Sequence, residues 1–133
     1  PVYKISHFEC GVRWLREAIL GTGKEVLIST ADPDLAEWIL RVGLWFLYCP
    51  GKYPCAVGDV HLTEYDDDTF LGLSSHCLDP LLPIAAVALG AQMIEMHFHL
   101  ESEPSELEAN VSINERQFAD MVSAVRRTEV MLR

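Results

Sequence analysis

A carboxylate and two imidazoles alternate with apolar residues in the second half of the sequence. Glu95, His97 and His99 are separated from one another by Met96 and Phe98. Successive side chains of a β-strand point to opposite faces, so the three ionisable groups share one face of an extended segment. Carboxylates and imidazoles can transfer protons or bind a metal ion. This segment is the first candidate for chemistry.

A further histidine stands at the end of another apolar segment. Residues 69–73 lead into the hydroxyls of Ser74 and Ser75 and then into His76. In α/β proteins the carboxyl ends of the strands carry most functional residues. Two neighbouring strand ends that each offer a histidine indicate a site for a bound metal ion.

The elements that position these residues alternate regularly along the chain. Hydrophobic runs predict strands at residues 2–6, 25–30, 44–49, 69–75 and 92–100. Helical spacing predicts helices at 13–20, 32–42 and 79–89, residues 59–65 are compatible with a short helix, and a capping box of Ser112 and Glu115 predicts a long final helix. Apolar strands that alternate with helices predict a parallel sheet covered by helices.

An open, doubly wound sheet and a barrel both fit this alternation. Neither glycine-rich nucleotide fingerprint, GxGxxG or GxxxxGK[ST], occurs in the sequence. The polar residues gather instead at the carboxyl ends of the predicted strands, an arrangement typical of barrels. The pattern therefore favours a barrel.

Composition and charge limit the possible functions. The 133 residues are 50% hydrophobic and 23% charged, which suits one globular domain. A net charge of −10 argues against binding to nucleic acid. No apolar run reaches the roughly 18 residues of a membrane span, and no signal-type segment is present. We therefore expect a cytoplasmic protein without nucleic-acid or membrane partners.

The four cysteines are widely spaced. Cys10, Cys49, Cys55 and Cys77 form no CxxC pair. Free thiols in a reducing compartment are the expected state. A metal-binding or redox pair of Cys49 and Cys55 is the alternative.

A set of short motifs covers nearly the whole chain. The motifs are Lys4-Ile-Ser-His-Phe-Glu9, Thr22-Gly-Lys-Glu-Val-Leu-Ile-Ser-Thr30, Tyr48-Cys49 with Tyr53-Pro54, Asp59-Val-His-Leu62, Gly72-Leu-Ser-Ser-His76, Ala85-Ala-Val-Ala-Leu-Gly-Ala91 and Ile94-Glu-Met-His-Phe98, followed by a helix beginning at Ser112. In this order they resemble the sialic acid synthase family. Members of that family condense phosphoenolpyruvate with an N-acyl amino sugar to form N-acetylneuraminate, pseudaminate or legionaminate.

The resemblance implies a partial (β/α)8 TIM barrel. Residues 1–133 would form a single partial-barrel domain of five parallel βα units, which correspond to strands 4 to 8 of the family. The first three units and the antifreeze-like C-terminal domain of the family are expected to be absent. Because a full barrel takes about 250 residues, we expect a homo-oligomer or a separate N-terminal half-barrel chain to complete it.

The resemblance also assigns roles to individual residues. His76 and His97 would hold a divalent metal ion, manganese or magnesium. Apart from the resemblance, His99 shares a strand face with His97, and we expect it to be a surface histidine rather than a third ligand. Glu9 and Glu95 would be the catalytic carboxylates. The substrate-binding residues would be Lys4, Ser29 and Ser74 for phosphoenolpyruvate, and Tyr53 and Glu108, together with Glu9, for the sugar.

Several positions depart from the family pattern. They are His7, Ala31, Gly51, Ser75, Met96 and Glu108. Ser75 replaces an aspartate beside the metal histidine, and Met96 replaces a lysine. A second interpretation therefore stays open: a non-catalytic, truncated homologue that binds a metal or a sugar phosphate, or that serves as an assembly subunit.

Overall fold

The computed structural model describes residues 2–32, 44–103 and 107–133. Its single sheet has six strands: β1 (Tyr3–Ser6), β2 (Val26–Thr30), β3 (Leu44–Tyr48), β4 (Gly72–Ser75), β5 (Met93–His99) and β6 (Ser112–Asn114). Every neighbouring pair is parallel, and the spatial order is the order along the chain. The sheet curls into a half-barrel, which confirms the predicted α/β partial barrel.

The sixth strand corrects the prediction of five. Ser112, Ile113 and Asn114 pair with His97, Phe98 and His99 of β5. The predicted capping box of Ser112 and Glu115 was wrong because Ser112 lies in β6, and Glu115 is already the first residue of the final helix. The final helix is capped instead by Asn114, whose side chain accepts a hydrogen bond from the Gln117 backbone at 2.8 Å.

The described helices lie between or after the strands. They are α1 (His7–Cys10), α2 (Arg13–Leu20), α3 (Leu81–Ala88) and α4 (Glu115–Met131). α2 gives way to a turn in which Gly23 has a φ of +65°, a conformation that favours glycine. One short helix was possible at residues 59–65. The structure has two single-turn 3₁₀ helices in this region instead, Val57–Asp59 and Leu62–Glu64. All but the first residue of the helix predicted at 32–42 lies outside the described residues.

The core lies between the sheet and the helices that cover it. One cluster forms around Tyr48 and Leu73, and the other around Ile5, Val26 and Ile28. Because side chains alternate along a strand, the residues between these core positions face the inside of the half-barrel. The sheet thus buries one face and directs the other towards the candidate site.

Strands β4 and β5 approach each other closely at Gly72. A Cβ atom there would overlap the carbonyl oxygen of Met93 and lie 2.7 Å from its carbonyl carbon. No flexible side chain is available to move aside. Glycine at this position therefore permits the pairing that aligns Ser74 with Glu95.

Candidate functional site

Two histidines from neighbouring strands meet at one end of the sheet. His76 follows the last residue of β4, and His97 lies near the end of β5. Their ring centroids are 5.2 Å apart, with 44° between the ring planes. The structure thus brings together the two residues predicted to bind a metal ion.

His76 is held by side chains from the segment after β3. The ring of Tyr53 lies edge-on to it, with centroids 4.6 Å apart, and the Cys49 sulfur is 3.8 Å from its Nδ1. Burial and the nearby His97 lower the pKa of His76, although Glu95 and other acidic groups partly oppose the shift. The imidazole of His76 is therefore neutral near pH 7, with a lone pair available for a ligand.

The two residues predicted to bind the sugar lie beside the histidines. The Tyr53 hydroxyl donates a hydrogen bond to Glu108, and this bond raises the pKa of Tyr53. A carboxylate oxygen of Glu108 is 3.6 Å from Nδ1 of His97. Tyr53, Glu108 and both histidines thus form one connected group of side chains.

An ion pair crosses the inner face of the half-barrel. The Lys4 amino group lies 3.1 Å from a carboxylate oxygen of Glu95, and the two side chains are 39% and 38% exposed. Lys4 belongs to β1 and Glu95 to β5, so only the curl of the sheet allows them to meet. The other oxygen of Glu95 is buried and has no hydrogen-bond partner within the described residues.

Sequence reasoning assigned Cys49 only an alternative role, in a pair with Cys55, but the structure places Cys49 beside His76 among the candidate site residues. Ser29 and Ser74 are buried, and Ser74 forms a hydrogen bond with the half-buried Cys49 thiol. Burial raises the pKa of Cys49, while the bond to Ser74 and the charge of Lys4 oppose the rise. The available signal was its position: Cys49 follows β3 just as His76 follows β4.

Glu9 and His99 lie in different surroundings. A carboxylate oxygen of Glu9 accepts a hydrogen bond from the Ser6 backbone at 2.6 Å, as part of a capping box at the start of α1. The catalytic role assigned to Glu9 stays a prediction. His99 is half-buried rather than on the surface, and its Nδ1 has no hydrogen-bond partner within the described residues.

The donor atoms fit a metal site of two imidazoles. Across residues 2–32, 44–103 and 107–133, no three potential ligands converge on one point. Two histidines would leave the other coordination positions to substrate or water oxygens, as open catalytic sites require. The residues present therefore suit a divalent ion with two protein ligands.

Comparison with known proteins identifies the family. The NeuB family matches residues 1–133, the full length of the sequence. The chain belongs to the NeuB family. This membership confirms the resemblance inferred from the motifs.

Relatives of this NeuB-family chain include enzymes of known activity. The chain is 32% identical to an uncharacterised protein of Methanocaldococcus jannaschii, covering 99% of this chain and 43% of the relative. It is 31% identical to the pseudaminic acid synthase of Campylobacter jejuni, covering 98% of this chain and 42% of that enzyme. The chain thus spans less than half the length of these relatives.

Solved structures confirm the fold. The N-acetylneuraminic acid synthetase of Leptospira borgpetersenii matches with a TM-score of 0.79 at 23% identity, over 98% of this chain and 50% of that one. A spore coat polysaccharide biosynthesis protein of Chromobacterium violaceum matches with a TM-score of 0.77. Within the described part of the chain, no helix is long and apolar enough to cross a membrane.

Proposed function

We propose that this NeuB-family chain provides the C-terminal part of the active site of a sialic acid synthase-like enzyme. The reaction would join phosphoenolpyruvate to an N-acyl amino sugar. One observation carries the proposal: His76, His97, Tyr53 and Glu108 converge at one end of the half-barrel.

Lys4, Ser29 and Ser74 would bind the anionic substrate. An ammonium group and two hydroxyls supply the donors that phosphate and carboxylate oxygens need. In a chain with a net charge of −10, Lys4 provides a local positive charge on the inner face. Its partner Glu95 has a buried oxygen with no hydrogen bond in the described part of the chain, and that oxygen would accept a proton during the reaction.

Tyr53 and Glu108 would hold the amino sugar. The carboxylate of Glu108 can accept hydrogen bonds from sugar hydroxyls or from the amide N–H. The Tyr53 ring lies against His76 and would orient the sugar beside the two histidines. A divalent ion bound by His76 and His97, manganese or magnesium, would polarise the carbonyl oxygen of the sugar.

Further βα units would complete the barrel. β1 and β6 lie at the two ends of the described sheet, so each has a strand neighbour on one side only. Additional units from the same polypeptide, a partner chain or a second copy would cover these edges. We expect these 133 residues, expressed alone, to associate. Light scattering that finds a cooperatively folding monomer at micromolar concentration would contradict this.

Calorimetry with manganese tests the proposed metal site. We expect the unmodified protein to bind Mn²⁺ and a His76→Ala, His97→Ala double variant to lose that binding. His61→Ala is the matched control, since His61 is an exposed histidine on the loop before Leu62–Glu64. If the double variant binds Mn²⁺ as tightly as the unmodified protein, the assignment of His76 and His97 as metal ligands is refuted.

An activity assay tests the reaction. Phosphate release from phosphoenolpyruvate should require an N-acyl amino sugar and should fall in Lys4→Ala. The second interpretation, a non-catalytic binder, is favoured by Ser75, which replaces the family's aspartate. The Ser75 side chain is buried and forms hydrogen bonds with the backbone N–H and carbonyl of Cys77, so it does not form a hydrogen bond that holds His76 in place. Metal binding without turnover in the fully assembled protein would favour that binder.

A further inference from the structure

The thiol of Cys49 contacts three groups. Its sulfur lies 3.8 Å from Nδ1 of His76 and 3.9 Å from the carbonyl oxygen of Pro50, and it forms a hydrogen bond with the side chain of Ser74. Its distances to His76 and Pro50 are within the range of hydrogen bonds to sulfur. Cys49 therefore links a candidate metal ligand to a candidate substrate-binding residue.

A count of hydrogens indicates the direction of these bonds. A thiol has one hydrogen to donate, and the carbonyl of Pro50 can only accept. If the thiol hydrogen goes to Pro50, the sulfur is left to accept from the Ser74 hydroxyl and from His76. Nδ1 of His76 then carries a hydrogen, and Nε2 of the neutral ring carries the lone pair.

The tautomer decides whether His76 can bind a metal ion through Nε2. We propose that Cys49 is a positioning residue that holds His76 as the Nδ1–H tautomer and keeps Nε2 available as a ligand. In other metal sites, an acceptor that receives the hydrogen of the non-ligating ring nitrogen fixes the tautomer of the histidine. Loss of such an acceptor lowers metal affinity by about 10- to 100-fold. Here a thiol takes the place of the usual carboxylate or carbonyl.

Neighbouring contacts support this role. Tyr53 packs edge-on against the His76 ring, so the ring is restrained on one side by Tyr53 and at Nδ1 by Cys49. Both residues flank the short segment that begins at Pro50. The inference rests on the proposed function for its metal ion, but the tautomer of His76 can be measured without any metal.

The test uses the full natural protein, labelled with ¹⁵N-histidine, free of metal and at a pH where His76 is neutral. Long-range ¹H–¹⁵N spectra report which ring nitrogen carries the hydrogen, and His76→Gln assigns the signal. We expect the Nδ1–H form to predominate. We expect Cys49→Ala to shift His76 towards a mixture of tautomers, and Cys49→Ser to restore the Nδ1–H form, because a hydroxyl can also accept.

Manganese titration of the same proteins provides the second readout. Cys49→Ala should weaken Mn²⁺ binding about 10- to 100-fold, and Cys49→Ser should recover most of the loss. Cys10→Ala is the control, because Cys10 is buried in the separate cluster around Ile5 and Val26. It should change neither readout.

Each outcome has a distinct meaning. An Nε2–H tautomer in the unmodified protein, or a tautomer that is the same in Cys49→Ala, would overturn the role of Cys49. The unmodified protein is informative by itself even if a variant fails to fold. An Nδ1–H tautomer that depends on Cys49, in a protein that does not bind Mn²⁺, would support the positioning role and refute the proposed metal site.

Discussion

Replacing Gly72 with alanine should destabilise the protein strongly. The added Cβ would lie 2.7 Å from the carbonyl carbon of Met93 and would overlap its oxygen. Non-bonded carbon atoms prefer about 3.5 Å, so β4 and β5 would have to separate by about 1 Å. Overpacking in cores costs about 1–3 kcal/mol, and a clash with backbone belongs at the upper end. We therefore expect a loss of about 3 kcal/mol.

Urea denaturation of Gly72→Ala and Gly58→Ala measures this effect. The Cβ of an alanine at position 58 would meet nothing within 4 Å, and Gly58 has no positive φ. Its substitution should be neutral or stabilise by up to about 1 kcal/mol. If the free energy of unfolding of Gly72→Ala is within about 0.5 kcal/mol of that of the unmodified protein, the close approach of β4 and β5 is refuted. His76 directly follows β4 and His97 lies in β5. We therefore expect Gly72→Ala, which separates these strands, to bind Mn²⁺ more weakly as well as to be less stable.

Three further expectations concern caps and titrating groups. Asn114→Ala removes the cap that accepts from Gln117 and should cost about 1 kcal/mol in urea denaturation; an unchanged midpoint would contradict the cap. Burial raises the pKa of Cys55 from 9.0 to about 11, so at pH 8 its thiolate fraction should be about 100-fold below normal, and iodoacetamide labelling followed by mass spectrometry should be correspondingly slow. Burial and Glu64 raise the pKa of Tyr48 from 10.0 to about 12. The neutral hydroxyl therefore contributes about 3 kcal/mol of stability below pH 10, which should be lost as the pH rises through 12, and Tyr48→Phe should flatten that loss in urea denaturation.

Much of the fold could be predicted because local signals agree with tertiary structure. Val26, Leu27 and Ile28 form an apolar, mostly β-branched run that follows the turn signal at residues 21–23, and they lie in the buried strand β2. The sixth strand could not be predicted in this way. Ser112–Asn114 is only three residues long and is a strand because β5 lies beside it. The four-residue helix α1 is likewise too short to show a helical period.

The site could be predicted in its residue types but not in its contacts. His76 and His97 stand at strand ends, and parallel strands bring such ends together. The contact of Lys4 with Glu95 depends on how far the sheet curls, which no local pattern encodes. The role inferred for Cys49 depends on the direction of hydrogen bonds around one sulfur atom, which only the assembled loop defines.

The strand order has a consequence for biosynthesis. Each described strand between β1 and β6 is hydrogen-bonded to the strand that precedes it and to the strand that follows it in the sequence. The described part of the sheet can therefore grow by one unit at a time as the polypeptide leaves the ribosome, since each strand pairs with the one made just before it. The two histidines meet only after β5 has docked on β4. A nascent chain that ends before β5 would contain only one of the two histidines, so the candidate metal site is completed late in the growth of the sheet.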